Sequence, residues 1–274
     1  MAVQLLKAKQ MVQQIDYIAN GEIRSVELPN QRVEVLPGLK WGRPAEPFTP
    51  AFWVAQAAFH QATSDPDVST TFRLATSIRE EAAACLLGGH GIPAEVGLAA
   101  FAAIRSAGLL IEQTPSEADI YEALTQPLHV KGRNIKYRFA RQKSKYLAAL
   151  LKMFSQYPTG LTDLQLREWL LQCPGIGLKT ASWIVRNWRG SDLVAIIDIH
   201  IHRAGILAGI FSMNDTLPRH YLDMERRFLD FASAIGIRPS LLDAVVWQQM
   251  RRSATLALTM LNEFAGTWRS RTAA

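Results

Sequence analysis

The chain is short of the features that would mark a disulfide scaffold, a metal-cluster protein or a membrane protein. It has 2 cysteines, Cys85 and Cys173, far apart and in no CxxC pair or Cys/His cluster. They read as reduced thiols, and their number alone excludes a four-thiolate iron–sulfur cluster. Long apolar runs are missing too: Leu193 to Ile197 is far too short to span a bilayer. The opening segment, Met1 to Ile15, mixes Gln and Lys with Leu and Val. It is expected to be an amphipathic helix without the apolar core of a signal peptide. The expected location is therefore inside the cell, cytoplasmic, and no membrane partner is expected. No internal repeat or low-complexity tract is visible.

What is present suits a globular protein. The 274 residues are 49% hydrophobic and 20% charged, enough for one large domain or two intimate lobes. A formal net charge of +6 favours a polyanionic partner. The distribution says more than the total. Lys131, Arg133, Lys136, Arg138, Arg141, Lys143 and Lys145 fall together with no acidic residue among them, and Tyr137, Phe139 and Tyr146 are interleaved. Such a strip is either a solvated helix face or a phosphate contact, and uncompensated cations favour the second.

Period-two alternation from Glu22 to Leu36, about Pro29-Asn30, predicts a small hairpin, and Pro37 to Pro50 reads as a linker. Nearly everything beyond is helical in period. Thr49-Pro50 opens a helix to Phe59, a second runs from Phe72 to Leu87, and a third follows Pro93 to about Gly108. A capping box at Thr114 to Glu117 opens a short helix to Thr125. The basic segment reads as one long helix to Gln156. A Thr162/Gln165 box opens Asp163 to Gln172, Leu178 to Trp188 follows a turn at Pro174 to Gly177, and three helices fill Asp198 to Phe264. The fold class is all-α with a small N-terminal β-hairpin. Its expected parts are an N-terminal extension over 1–48, a lobe from 49–80 with 190–274, and a helical-bundle lobe over 81–189.

The chemistry concentrates between Leu171 and Gly205. Two helices joined by Pro-Gly-Ile-Gly form a hairpin in which Gly175 and Gly177, lacking Cβ, let their amides approach a phosphate oxygen. The next helix begins there, and its free N–H groups favour an anion. Read alone, this turn is equally an ordinary αα-corner. Lys179 sits in the first turn of that helix, where the dipole disfavours a cation and so favours a neutral amine nucleophile. A phosphate-bound surface lysine fits the same position. Asp198 comes 19 residues later and could cap a helix, take the amine's proton or stabilise a cationic sugar. His200 and Arg203 follow as candidate phosphate contacts; His202 reads as packing or surface.

PGIGLKTA at 174–181 followed by IIDIHIHR at 196–203 resembles the helix-hairpin-helix–GPD superfamily of DNA glycosylases. The resemblance covers roughly Phe72 to Ala208. It implies two helical lobes that grip double-stranded DNA containing a damaged base, which swings into a cleft between them, and a monomer. Lys179 matches the Schiff-base lysine, Asp198 the aspartate that assists it, and Gly175 and Gly177 the phosphate-binding glycines. His200 matches the histidine that meets the backbone. The carbonyls of Leu171, Cys173 and Ile176 match positions that hold a monovalent or similar cation. No cofactor is implied for the chemistry.

A lysine at this site is similar to the bifunctional glycosylase/lyases, and the lack of four cysteines argues against the endonuclease III branch. The compact 8-oxoguanine enzymes are the nearest resemblance. Recognising 8-oxoguanine needs an acceptor for its N7–H and stacking surfaces for a flipped base. The expected pocket residues are Asp243, Trp247, Gln248 and, from the other lobe, Gln56, with a core tryptophan as the alternative for Trp247. His90 matches a wedge position, Arg138 and Phe139 match residues that probe the orphaned base, and Lys143 counts as a DNA contact. A glycosylase for another oxidised base, or a non-catalytic DNA-binding hairpin module, are the competing functions.

Overall fold

The computed structural model describes residues 12–19, 21–63, 72–89, 91–111 and 115–272, with side chains as far as 263. It separates into two compact units, residues 71–194 and residues 1–70 with 195–274. Both are built mainly from helices, with small antiparallel hairpins. Among the described residues, no helix is long and apolar enough to cross a membrane.

The unit over 71–194 holds α2 (Ile78–Leu87), α3 (Ala94–Ser106), α4 (Glu117–Thr125), α5 (Ala140–Phe154), α6 (Asp163–Leu170) and α7 (Leu178–Arg189). Its centre is α2, whose Ala82 to Leu87 are apolar on every side and all buried, packed on α3, α5 and α7. The helix starts at Ile78 and not at Phe72. Ser77 caps it by accepting from Glu80 N, and Glu81 turns back to accept from Leu74 N at 2.7 Å and Ala75 N at 3.0 Å. Residues 72–77 are thereby wrapped over the helix start, with Arg73 donating to the Trp188 carbonyl at 2.8 Å.

Glu81 is wholly buried and also accepts from Asn187 Nδ2 at 2.8 Å, tying α2 to the end of α7. Burial raises its carboxyl above the usual carboxylate range against the pull of these hydrogen bonds. A raised carboxyl contributes stability below its unfolded value and loses it as pH rises. The stability of the wild type relative to Glu81→Gln should therefore increase as pH falls from neutral into the carboxylate range, read by thermal melts. Glu81→Ala strands three donors and should cost about 3 kcal/mol at neutral pH.

The basic segment is not one helix. β5 (Leu128–Val130) and β6 (Arg133–Ile135) pair antiparallel about Lys131 and Gly132, whose φ of 50° and 76° suit a two-residue turn. Only then does α5 begin, at Ala140. The capping box before α4 joins Ser116 to Asp119, two residues later than expected; Thr114 lies outside the described residues. The Thr162/Gln165 box forms as expected.

The other unit holds β1 (Gln13–Ala19), β2 (Glu22–Leu28), β3 (Glu34–Leu36), β4 (Leu39–Lys40), α1 (Pro50–Thr63), α8 (Ile199–Leu207), α9 (Tyr221–Ala234), α10 (Pro239–Arg252) and α11 (Ala254–Thr272). Gln13 to Ile15 belong to β1, so the amphipathic-helix expectation fails there; residues 1–11 lie outside the described residues. The first hairpin pairs Ala19 with Glu22 at its closed end, with Gly21 at φ 79°, and does not turn at Pro29-Asn30. The expected linker is packed structure: Trp41 and Phe48 are buried, and Phe48 lies 6.0 Å from the Trp53 ring. Thr49 caps α1 by accepting from Phe52 N. Four helices, not three, follow Asp198.

Candidate active site and nucleic-acid interface

The hairpin consists of α6, the turn 171–177 and α7. Gly175 has φ 83°, and a Cβ there would lie 2.1 Å from the Tyr146 ring, so the turn is seated on α5 through a position only glycine fits. Gly177 is different. It caps α7 in ordinary extended conformation, is exposed, and a Cβ there would meet nothing within 4 Å. Open space in front of free helical N–H groups is where an anion can approach. Gly177→Ala should leave the melting temperature in place yet weaken duplex binding by about tenfold, the loss of one charge-assisted contact. Gly175→Ala should lower both, because it displaces the turn itself; melting curves and binding isotherms distinguish the two.

Lys179 occupies the first turn of α7 and is half-buried. Its amine has no hydrogen-bond or ion-pair partner among the described residues. Around it the unit is cationic and apolar: Lys143 on α5 feels its charge, and so does the buried thiol of Cys85, which burial and Glu81 push upward.

At the hairpin, the Cys173 carbonyl accepts from Ile176 N at 3.1 Å, and the carbonyls of Leu171 and Ile176 take no hydrogen bond among the described residues. Three oxygens with unused lone pairs fit a hard cation. The Cys173 thiol is pushed up to about 11 by burial and offers no thiolate.

The basic strip divides into outward and inward groups. Arg133, Lys136, Arg138, Arg141 and Lys145 are exposed, and Arg138 lies over the half-buried Phe139 ring at 4.5 Å. Lys131 pairs with Glu95 at 2.9 Å. Lys143, expected as a DNA contact, turns inward instead: its amine donates to Leu86 O at 2.5 Å and Gly88 O at 3.4 Å. His90 lies outside the described residues.

In the other unit, Asp198 is 8% exposed and caps α8. Its Oδ1 accepts from His200 N at 2.7 Å and Ile201 N at 2.9 Å, while Oδ2 has no partner among the described residues. One oxygen orients the carboxylate and the other is left for chemistry, so the capping and catalytic readings are compatible. The run before it is extended without a strand partner, and buried side chains take its amides. Ala195 N donates to Glu225 at 3.0 Å, Ile196 N to Asp243 at 3.0 Å, and Ile197 N to the Tyr221 hydroxyl at 3.3 Å. Asp243 is thus buried, with one carboxylate oxygen accepting from the run that leads to Asp198. Glu225 and Tyr221 share that task and left no local signal in the sequence.

Trp247 is half-buried, with His200 packed edge-on at 6.4 Å and the Arg251 guanidinium 4.7 Å above the ring. It lines a shallow cavity of about 370 Å³ with Gln248, Arg251 and Arg252. Gln56 is half-buried on α1, one turn from His60, which burial and Arg252 hold below the ordinary histidine range.

The glycine hairpin and the lysine that opens its second helix, in one unit, and the aspartate that caps α8, in the other, mark a helix-hairpin-helix protein of the glycosylase type. The family model for 8-oxoguanine DNA glycosylase matches residues 71–237, and the chain belongs to that family. The 8-oxoguanine DNA glycosylase/AP lyase of Saccharolobus islandicus is 32% identical over 140 residues, and that of Saccharolobus solfataricus is 33% identical over 139. Each alignment covers 47% of this chain and 66% of the relative, so the chain spans about two thirds of the length of the relatives it matches. Among solved structures, the 8-oxoguanine DNA glycosylase of Methanocaldococcus jannaschii aligns with a TM-score of 0.50 at 26% identity, covering 65% of this chain and 78% of its own. The glycosylase/lyase of that organism in complex with a 15mer DNA containing 8-oxoguanine aligns with a TM-score of 0.55 at 21% identity, covering 74% and 98%, and supports the fold.

Proposed function

We propose that this protein excises 8-oxoguanine from duplex DNA and then cleaves the strand at the abasic site through an imine on Lys179. The observation that carries the reading is half-buried Lys179, its amine without a partner among the described residues, at the start of the hairpin's second helix. The family membership, and relatives named 8-oxoguanine DNA glycosylase/AP lyase, support the substrate.

The hairpin amides and the exposed arginines and lysines grip phosphates without reading sequence. A cation on the carbonyls of Leu171, Cys173 and Ile176 would add a positive charge toward a phosphate. With the damaged nucleotide extruded, the lone pair of the Lys179 nitrogen bonds to C1′ as the C1′–N9 bond breaks and the electron pair leaves with the base. The carboxylate of Asp198, on its free Oδ2, stabilises the cationic sugar and takes the amine's proton. Ring opening gives the imine; loss of a C2′ proton then expels the 3′ phosphate by β-elimination. Trp247 offers a stacking face, and Asp243, Gln248 or Gln56 an acceptor for N7–H.

Strand cleavage on matched duplexes carrying 8-oxoguanine, an oxidised pyrimidine or no lesion tests the substrate. Cleavage confined to 8-oxoguanine is expected. Cleavage confined to the pyrimidine would keep the chemistry and overturn the lesion, whereas binding without cleavage on any duplex would leave a binding module.

A further inference from the structure

Tyr137 and Tyr221 are buried, and each donates its hydroxyl proton to a carbonyl, Leu87 O at 2.5 Å and Ala195 O at 2.7 Å. That is the usual fate of a tyrosine hydroxyl taken out of water. Tyr146, on α5, is bonded the other way round. Its hydroxyl oxygen accepts from Gln142 Nε2 at 3.0 Å, and its proton has no acceptor among the described residues. Helical side chains lean back over the preceding turn, which is how the hydroxyl reaches position 142. Gln142, Arg141 and Lys145 are all exposed, whereas Tyr146 is half-buried. The hydroxyl is therefore held at the solvent side of α5, among cations, with a donor to offer.

The same ring is the floor of the hairpin turn. A Cβ on Gly175 would lie 2.1 Å from Tyr146 Cδ2 and 2.6 Å from Cε2, so the backbone of the turn rests on the ring itself. Pro174, Gly175 and Gly177 stay exposed. One side chain thus touches both parts of the phosphate surface proposed above, the glycine turn before α7 and the exposed face of α5. Supporting the turn needs only the ring, and phenylalanine would serve. Gln142 fixes the hydroxyl as well, and a fixed neutral O–H suits a phosphate oxygen, which accepts from tyrosine as it does from lysine.

The geometry points to Tyr146 as a DNA-backbone contact that joins the hairpin to α5: with a duplex on the hairpin, its hydroxyl donates to a phosphate oxygen, and Gln142 is the residue that positions it. The inference rests on the DNA-binding part of the reading above, and needs neither the lesion nor the imine. It carries a signature of its own. A lysine or arginine on a phosphate releases a counterion, so its contribution fades as salt rises. A neutral hydroxyl releases none, and its contribution is the same at every salt concentration.

Anisotropy titrations of undamaged duplex over a series of salt concentrations read both quantities. Tyr146→Phe should bind about tenfold more weakly throughout, with the slope of log affinity against log salt unchanged and the melting temperature in place. Lys145→Ala, which removes a charge, should by comparison flatten the slope by about 0.9. Gln142→Leu, which releases the hydroxyl without removing it, should cost less, about threefold. Wild-type affinity in Tyr146→Phe overturns the contact, and in Gln142→Leu the positioning. A loss in Tyr146→Phe that comes with a flatter slope overturns the inference too, because the effect then lies with the cations of α5. So does a lower melting temperature, which would make the hydroxyl part of the fold. Single-turnover cleavage of lesion duplex keeps the larger reading separate. A wild type that binds duplex and cleaves none fails as a glycosylase, while the titrations still decide Tyr146; a wild type that binds no duplex overturns both.

Discussion

Replacing Lys179 by Gln is expected to slow base excision and strand cleavage by on the order of 10³-fold or more while leaving affinity for undamaged duplex within about threefold. The split follows from where the amine sits. It holds no hydrogen bond or ion pair among the described residues, so its loss strands no partner and leaves α7 seated through Trp183 and the buried Ala181 and Ile184. In the proposed reading the phosphate grip belongs to Gly177, the α7 amides and the exposed arginines and lysines, which Gln leaves in place. Fluorescence anisotropy on plain duplex and single-turnover cleavage on damaged duplex measure the two quantities. Affinity and rate falling together would make Lys179 a phosphate contact instead.

Asp198→Asn is the second variant with a large effect, expected to slow excision by about 10²- to 10³-fold with little change in melting temperature. Asparagine caps helices about as well as aspartate, and its carbonyl oxygen can still accept from His200 N and Ile201 N. What it lacks is the charge on Oδ2. Asp198→Ala removes both functions and should additionally cost about 1 kcal/mol of stability. If Asn and wild type excise at equal rates, the carboxylate is a cap alone. Glu225→Gln and Asp243→Asn offer a milder comparison, since each perturbs the backbone that delivers Asp198 without touching its charge.

The parts of the site that lie close in sequence were legible from it. Pro-Gly-Ile-Gly, Lys179 and Asp198 sit within one hairpin and the run that follows, so the turn and the cap follow from the residue types, while the roles of Lys179 and Asp198 came from the resemblance of the joint pattern. The capping box at Thr162 and the Thr49-Pro50 start were legible for the same reason. The tie of Asp243 to the run before Asp198 was not legible, because a spacing of four residues to Trp247 states only that both lie near one helical face. Its partner, Ile196 N, is 47 residues earlier and the spacing carries no trace of it. Tyr221 and Glu225 were invisible on the same grounds. The β5–β6 hairpin escaped because three-residue strands give too short an alternation to compete with a run of basic residues that looks helical. Asn20-Gly21 was a stronger turn signal than Pro29-Asn30 and should have prevailed. Glu81 could have been noticed as a carboxylate directly ahead of six buried apolar residues, a placement that demands partners.

The central claim, a covalent imine between Lys179 and the sugar, is tested most directly by borohydride reduction during reaction with 8-oxoguanine duplex, followed by mass spectrometry of the digested adduct. The account predicts a trapped complex with the sugar on the peptide containing Lys179, absent from Lys179→Gln and from undamaged duplex. A trapped sugar on another amine, or excision with no trapped complex at all, would contradict it.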